Sequence, residues 1–319
     1  MNNSKIIASG KYLPKKILSN HDLEKTVDTS HEWIFERTGI VKRHIADEKE
    51  MTSDLALQAC KEALKNAQLK AEQIEMIIVA TTTPDLTFPS TATILQSKLN
   101  ASNAFAFDIQ AVCSGFVYAL NVANNFIKSN QVKNALVVGA ETLSRIVDWK
   151  DRNTCVLFGD GAGAVILSST NNKNEGILSN NLYSDGSLVN ILKTNGGISA
   201  NQKSGFIEMQ GKEVFKLAVE KMSEAVLAGL KNLNLKISDI DLLIPHQANS
   251  RILNAVAKKL ELPESKIIIT VQDHANTSAA SIPLAINYAI EKNKIHNNDL
   301  IVLEALGGGL TWGSIIMRW

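Results

Sequence analysis

Three residues of unlike chemistry stand at similar places in this chain. Cys113 follows the apolar run AFAFDIQ (104–110) and opens the segment SGFVYALNVANNFIKSN (114–130). A thiol at the start of a helix faces unpaired backbone N–H groups and the positive end of the helix dipole. Both favour thiolate, so the position predicts an exposed side chain with a lowered pKa. Gly115 would let another backbone come close. The competing interpretation is an inert core cysteine. It suits Cys60, inside an amphipathic stretch, and Cys155, in the apolar run CVLF. His246 ends the run IDLLIP and precedes HQANSRIL, where Asn249 or Ser250 can cap a helix. Strand C-terminal ends are where α/β proteins place their sites. Asn276 lies in HANTSAAS, after a strand expected at IIITV and before a helix, and helix capping is its plainer alternative. Gly307, Gly308 and Gly309 follow IVLEAL. Successive glycines bring backbone amides close to a ligand as an oxyanion hole, or simply turn the chain between two strands. His274 stays open, whereas His21, His31, His44 and His296 read as surface or structural.

Cysteine, histidine and asparagine held together admit two chemistries. In a hydrolase the histidine is the base that activates the thiol. In thioester condensation, histidine and asparagine donate hydrogen bonds to a carbonyl that becomes an enolate.

Elements that could position these residues are legible in the pattern. Apolar runs alternate with helical stretches, which predicts an α/β fold. Helices are expected at 51–67, with Thr52 or Ser53 as cap, at 90–99 and at 114–130. Strands are expected at 74–83, 104–110, 134–142 and 162–169. Residues 170–205 are polar and read as a connection with a short hairpin. The order then repeats. IEMIIVA (74–80) resembles IDLLIPH (240–246), and ALVVGAE (135–141) resembles LIVLEAL (300–306). GAGAVIL (161–167) resembles WGSIIMR (312–318) less closely. A long-period repeat suggests duplication of one α/β half, with a site at the junction. The halves divide as 1–170, carrying the cysteine, and 171–319, carrying the histidine and asparagine. GDGAG (159–163) lacks the spacing of a dinucleotide fingerprint and reads as a turn.

Bulk properties exclude more than they select. Of 319 residues, 45% are apolar and 20% charged, as in an ordinary globular protein. A net charge of +1 points to neither a nucleic acid nor a membrane partner. Three cysteines argue for a reducing compartment rather than a disulfide framework. The first residues show no apolar signal core, and no run approaches the ~18 apolar residues of a membrane span. A cytoplasmic protein is expected.

At these same positions the sequence resembles the 3-oxoacyl-[acyl-carrier-protein] synthase III (beta-ketoacyl-ACP synthase III) family of thiolase-like condensing enzymes. The strings are EWIFERTGI (32–40), TTTPDLTFPS (81–90), DIQAVCSGF (108–116), VLFGDGAGA (156–164), IPHQAN (244–249), NTSAASIP (276–283) and GGGLTWGS (307–314). They span nearly the whole chain in one order. The resemblance implies the thiolase fold, a duplicated α/β unit in five α-β-α-β-α layers, and a homodimer. It implies that Cys113 takes the acyl group of a short acyl-CoA, acetyl-CoA, and that malonyl carrier protein then binds. His246 and Asn276 would stabilise the enolate left as CO₂ departs, and the amides of Cys113 and Gly308 would form the oxyanion hole. Trp33 and Arg152 are similar to the pair that sandwiches the CoA adenine, and Arg37 to a nucleotide-phosphate contact. Phe88 resembles the residue that shapes the acyl pocket from the neighbouring subunit. Lys216, Arg251, Lys258 and Lys259 match the family's basic patch for acyl carrier protein. No metal or cofactor is implied. Val112, Ala275, Leu306 and Leu310 depart from the commonest family strings without touching the three chemical residues.

Overall fold

A computed structural model describes residues 3–319; Met1 and Asn2, the start of the expected first half, lie outside them. Two sheets carry the fold. In the first, Met76–Ala80 runs parallel to both Phe105–Ile109 and Asn134–Glu141. Gly161–Thr170 then pairs antiparallel with Asn134–Glu141, and Asn3–Tyr12 closes the other edge. In the second, Leu242–Pro245 runs parallel to Leu300–Gly307, with Thr311–Arg318 and Gly176–Ser184 added antiparallel. MIIVA at 76–80 is buried on both faces, as a central parallel strand between helical layers must be.

The duplication is visible in the strand order. From the edge inward, 3–12, 161–170, 134–141 and 76–80 correspond to 176–184, 311–318, 300–307 and 242–245. The repeated strings therefore occupy equivalent places.

Five layers result. Helices Thr52–Ala67 and Thr91–Leu99 cover the outer face of the first sheet. Helices Gly115–Lys128 and Ser281–Glu291 lie between the sheets, and their apolar residues merge both inner faces into one core. Helices Gly211–Asn232 and Ser250–Lys259 cover the second sheet. Among the described residues, no helix is long and apolar enough to cross a membrane.

Three sequence expectations need correction. Gly176–Ser184 is a nine-residue strand, not part of a loose connection. Its Asn180 donates to Asn121 on a central helix (2.7 Å), and its Asn181 accepts from Asn232 on an outer helix (3.1 Å). Polar side chains satisfied by neighbouring layers disguised it. Conversely, IIITV is not a strand. It touches the sheet at a single bridge, Leu243 with Ile267. The Gln247 side chain takes the place of a neighbouring strand. Its Oε1 accepts from the amides of Thr270 (2.7 Å) and Val271 (3.2 Å), and its Nε2 donates to Ile268 O (3.0 Å). Finally, neither Thr52 nor Ser53 caps the helix 52–67, because Thr52 donates its hydroxyl to Thr83 O and Ser53 N donates to Asp85. Met51 is the boundary residue, and its amide donates to Asp54 (3.0 Å).

Candidate active site

Cys113 leaves the sheet through a single 3-10 turn, Val112–Ser114, before the central helix Gly115–Lys128 begins. Val112 adopts φ +49°, a costly conformation for a β-branched residue, and one that persists only where the surroundings impose it. The imposing contacts come from the other half. Thr311 donates its hydroxyl to Ala111 O (3.0 Å), and Ser114 and Thr311 share a hydroxyl hydrogen bond of 2.7 Å. A methyl group built on Gly307 would sit 2.7 Å from both Ala111 O and Cys113 N. Only glycine admits this approach. The glycine run turns the chain between Leu300–Gly307 and Thr311–Arg318, and Gly307 lies against the Cys113 amide. Gly307→Ala should cost about 1–3 kcal/mol in overpacking. It should also displace the Cys113 amide, so a lower melting temperature and slow acylation are both expected; wild-type values for both would contradict the contact.

A cavity of about 1680 Å³ opens over this turn. Cys113, His246, Asn276 and Gly308 line it, together with Trp33 and Arg37 at another part of the wall. Sequence-distant residues from both halves thus share one chamber. Cys113 is only 5% exposed, which corrects the expected exposed thiol. Its pKa is also corrected. Burial pushes it up to about 12, because loss of hydration, helped by the nearby Glu141 carboxylate, outweighs the interactions with the Ser278 hydroxyl and its own backbone amide. Cys60 and Cys155 are buried core cysteines.

His246 stands just beyond Leu242–Pro245, where its amide donates to Glu304 O (2.8 Å). Burial drives its pKa down to about 3, so the ring is neutral. Nδ1 lies 2.7 Å from the Ser281 hydroxyl, which already accepts from Gln247 N (3.3 Å). The hydroxyl's own hydrogen is free for Nδ1, which leaves Nε2 protonated and able to donate. Asn276 is fixed by its backbone, not by a helix it caps. Its N donates to Leu157 O (2.9 Å), and its O accepts from Gly159 N (3.1 Å). Its Oδ1 accepts from Ser278 N (2.9 Å), leaving the NH₂ end as the donor. His274 is half-buried, its enclosed Nδ1 has no hydrogen-bond partner, and it does not line the cavity.

The remaining expected positions fall in two sets. Arg37 Cζ lies 4.5 Å and Arg152 Cζ 5.1 Å from the centre of the Trp33 indole. An aromatic ring between Trp33 and Arg152 needs roughly 3.5–4 Å on each side, about 7–8 Å in all. The pair is therefore closed in this state, with Arg152 anchored by donation to Asp28 O (2.7 Å). Phe88 is 82% exposed and lies outside this chain's own cavity. Arg251, Lys258 and Lys259 are exposed on helix Ser250–Lys259, and Lys216 is exposed on Gly211–Asn232. Lys216 and Lys259 both act on Glu220, so the two helices present one basic surface, and Arg251 also lines the cavity. Lys212 lines the cavity as well and was missed; its signal was its place one turn before Lys216 on the same helix. Ser278, Ser281 and the fully buried Glu141 were also missed, since each acts through contacts between distant segments.

Known proteins carry the same architecture. The model of 3-oxoacyl-[acyl-carrier-protein (ACP)] synthase III matches residues 107–186, and that of its C-terminal part matches 230–319. The Beta-ketoacyl-[acyl-carrier-protein] synthase III of Wolbachia pipientis wMel is 60% identical, over all of both chains. The protein of the same name from Ehrlichia canis (strain Jake) is 56% identical, again over all of both. The crystal structure of 3-oxoacyl-[acyl-carrier-protein] synthase III from Aquifex aeolicus VF5 superposes with a TM-score of 0.95 at 50% identity, covering 99% of this chain and 100% of that one. With this fold and this degree of identity over its whole length, the chain belongs to the 3-oxoacyl-[acyl-carrier-protein] synthase III family of thiolase-fold condensing acyltransferases.

Proposed function

We propose that this enzyme starts fatty-acid chains by decarboxylative Claisen condensation. A short acyl-CoA, acetyl-CoA, and malonyl carrier protein give 3-oxoacyl carrier protein, CoA and CO₂. The observation that carries this reading is the convergence of Cys113, His246 and Asn276 on one chamber that also includes the Trp33–Arg37 wall. Cys113 accepts the acyl group. His246 Nε2–H and the Asn276 NH₂ group donate to the malonyl thioester oxygen as CO₂ leaves, stabilising the enolate. The enolate carbon then attacks the acyl-Cys113 thioester, and the amides of Cys113 and Gly308 hold the oxyanion. Loss of CO₂ supplies the driving force, so the written reaction calls on no metal and no cofactor.

Binding follows the chain of contacts outward. Trp33, Arg37 and Arg152 receive the CoA nucleotide once Arg152 swings off the indole. Lys216, Arg251, Lys258 and Lys259 receive the acidic carrier protein. Residues 1–170 form the half that supplies the nucleophile, and 171–319 the half that supplies the donors. A second copy completes the assembly. Phe105–Ile109 is an edge strand of the first sheet, and Phe105 is 43% exposed and packed with Phe107 and Phe126. An apolar open edge is a template for pairing. Phe88 then reaches the partner's acyl pocket. The setting is the cytoplasm.

The test supplies purified protein with acetyl-CoA and malonyl carrier protein and follows product by mass. Acetoacetyl carrier protein is expected. Free acid without condensation product, with any short acyl-CoA, would establish a hydrolase instead.

A further inference from the structure

The cavity presents a proton problem. Acyl transfer requires the Cys113 thiol to lose its proton, yet the thiol is buried with a pKa near 12. His246 is a poor acceptor. Its pKa is held near 3, and its Nε2 already carries a hydrogen in the arrangement above. Some other group must take the proton during attack.

Glu141 is the last residue of strand Asn134–Glu141 and is fully buried. Its carboxylate collects donors from the chain leaving the neighbouring strand. Thr83 Oγ1 donates at 2.6 Å, Thr82 N at 3.1 Å and Thr82 Oγ1 at 3.0 Å, with Thr81 Oγ1 at 3.3 Å. This strand end is pressed against the turn Ser278–Ala280. A methyl group on Gly139 would sit 2.1 Å from Ala279 O. That packing places the Ser278 hydroxyl beside both the Glu141 carboxylate and the Cys113 thiol. The hydroxyl is buried and meets full hydrogen-bond geometry with neither group, yet it lies close enough to both to help hold their pKa values down. Ser278 also adopts φ +47°, a strained conformation for a non-glycine residue. One buried hydroxyl thus neighbours both a buried carboxylate and the thiol.

We infer that Glu141 is the proton acceptor for Cys113 during acyl transfer, acting through the Ser278 hydroxyl. This rests on the reading of Cys113 as the acyl carrier. The thiol proton passes to Ser278 Oγ as that hydroxyl gives its own proton to Glu141. The sulfur forms its bond to the acyl carbon. The tetrahedral intermediate collapses, breaking the bond to the CoA sulfur. Glu141 returns its proton over the same hydroxyl to the departing CoA sulfur. The products are acyl-Cys113, CoA thiol and an ionised Glu141, with every proton accounted for. Burial raises the Glu141 pKa to about 7, which suits an acceptor working near neutrality. The titratable group facing it is Cys113; its other neighbours from both packed elements, Thr81, Thr82, Thr83 and Ser278, are uncharged. Glu141 is thus a positioning and proton-holding group that never touches the acyl carbon.

The test compares wild type, Glu141→Gln and Ser278→Ala in two half-reactions. Single-turnover acetylation of Cys113 by acetyl-CoA is followed by intact mass across pH. Decarboxylation of malonyl carrier protein is followed separately. For wild type, the acetylation rate should rise with pH through about 7. Both variants should acetylate roughly 10²–10⁴-fold more slowly, the usual worth of positioned proton transfer. They should also lose the inflection near 7 and keep decarboxylation. Glu141→Asp, which retains the acid, should recover part of the rate. Unchanged acetylation and pH profile in both variants would overturn the relay. So would equal losses in acetylation and decarboxylation, which mark a structural role. If Glu141→Gln does not fold, Ser278→Ala decides alone. Wild type that never becomes acetylated on Cys113 would refute the acyl-carrier reading instead.

Discussion

Cys113→Ala is expected to leave the enzyme without any acyl group after incubation with acetyl-CoA. Wild type should gain the mass of one acetyl group, and peptide mapping should place it on Cys113. The effect should be complete rather than partial. Cys60 and Cys155 are enclosed by core residues, and burial raises both thiol pKa values, so neither substitutes. His246 is neutral, with Nδ1 held at the Ser281 hydroxyl, and in the proposed mechanism it donates a hydrogen bond rather than carrying the acyl group. The substitution removes one buried sulfur and leaves the threonine hydrogen bonds to Glu141 in place, so the melting temperature should move by only a few degrees. A folded Cys113→Ala protein that still acquires an acetyl group would show that the acyl carrier lies elsewhere.

The second large effect separates the two halves of the reaction. His246→Ala and Asn276→Ala should acetylate at close to the wild-type rate yet condense ~10²–10³-fold more slowly each, the usual cost of deleting one preorganised donor. Asn276→Asp is the sharper version. It keeps the shape and the acceptor for Ser278 N, but a carboxylate cannot donate to the developing enolate. The pH dependence of decarboxylation should show no histidine inflection between about pH 5 and 8. Burial lowers the His246 pKa, so the ring is uncharged throughout that window and does not titrate within it. If acetylation falls as far as condensation in His246→Ala, the histidine is acting on the thiol as a hydrolase base would. Rate measurements on each half-reaction with purified substrates distinguish the outcomes.

Much of this was legible in the sequence, and particular residues show why. The buried strands IEMIIVA, ALVVGAE and their repeats announce themselves because both faces are apolar. Cys113, His246 and Asn276 could be picked out because each follows an apolar run at a turn. The thiol's state could not. The helix start favours thiolate, but desolvation is decided by Thr311, Gly307 and the opposite half, which are invisible from residues near position 113. Gly176–Ser184 was hidden because Asn180 and Asn181 find partners on two different helices. IIITV misled because one glutamine, Gln247, supplies bonds that a strand would otherwise provide. Glu141 could not be read at all. A glutamate ending a strand looks like a solvent-facing stop until three threonines and a serine are folded over it.

The seam between the nucleophile turn and the glycine turn also bears on how the enzyme comes into being. Residues 111–114 and 311 are joined by hydrogen bonds across sequence separations of 197 and 200 residues. During synthesis, Cys113 is made long before Gly307 and Thr311. Until the hairpin 300–318 docks, the thiol sits in an open turn with a pKa near the ordinary ~8.5 and is open to oxidants. Docking takes it out of water and raises that pKa, so the contact that completes the chamber also shields the thiol. A nascent or partly unfolded chain is therefore the form in which oxidation threatens this enzyme, and the finished fold is its own antioxidant.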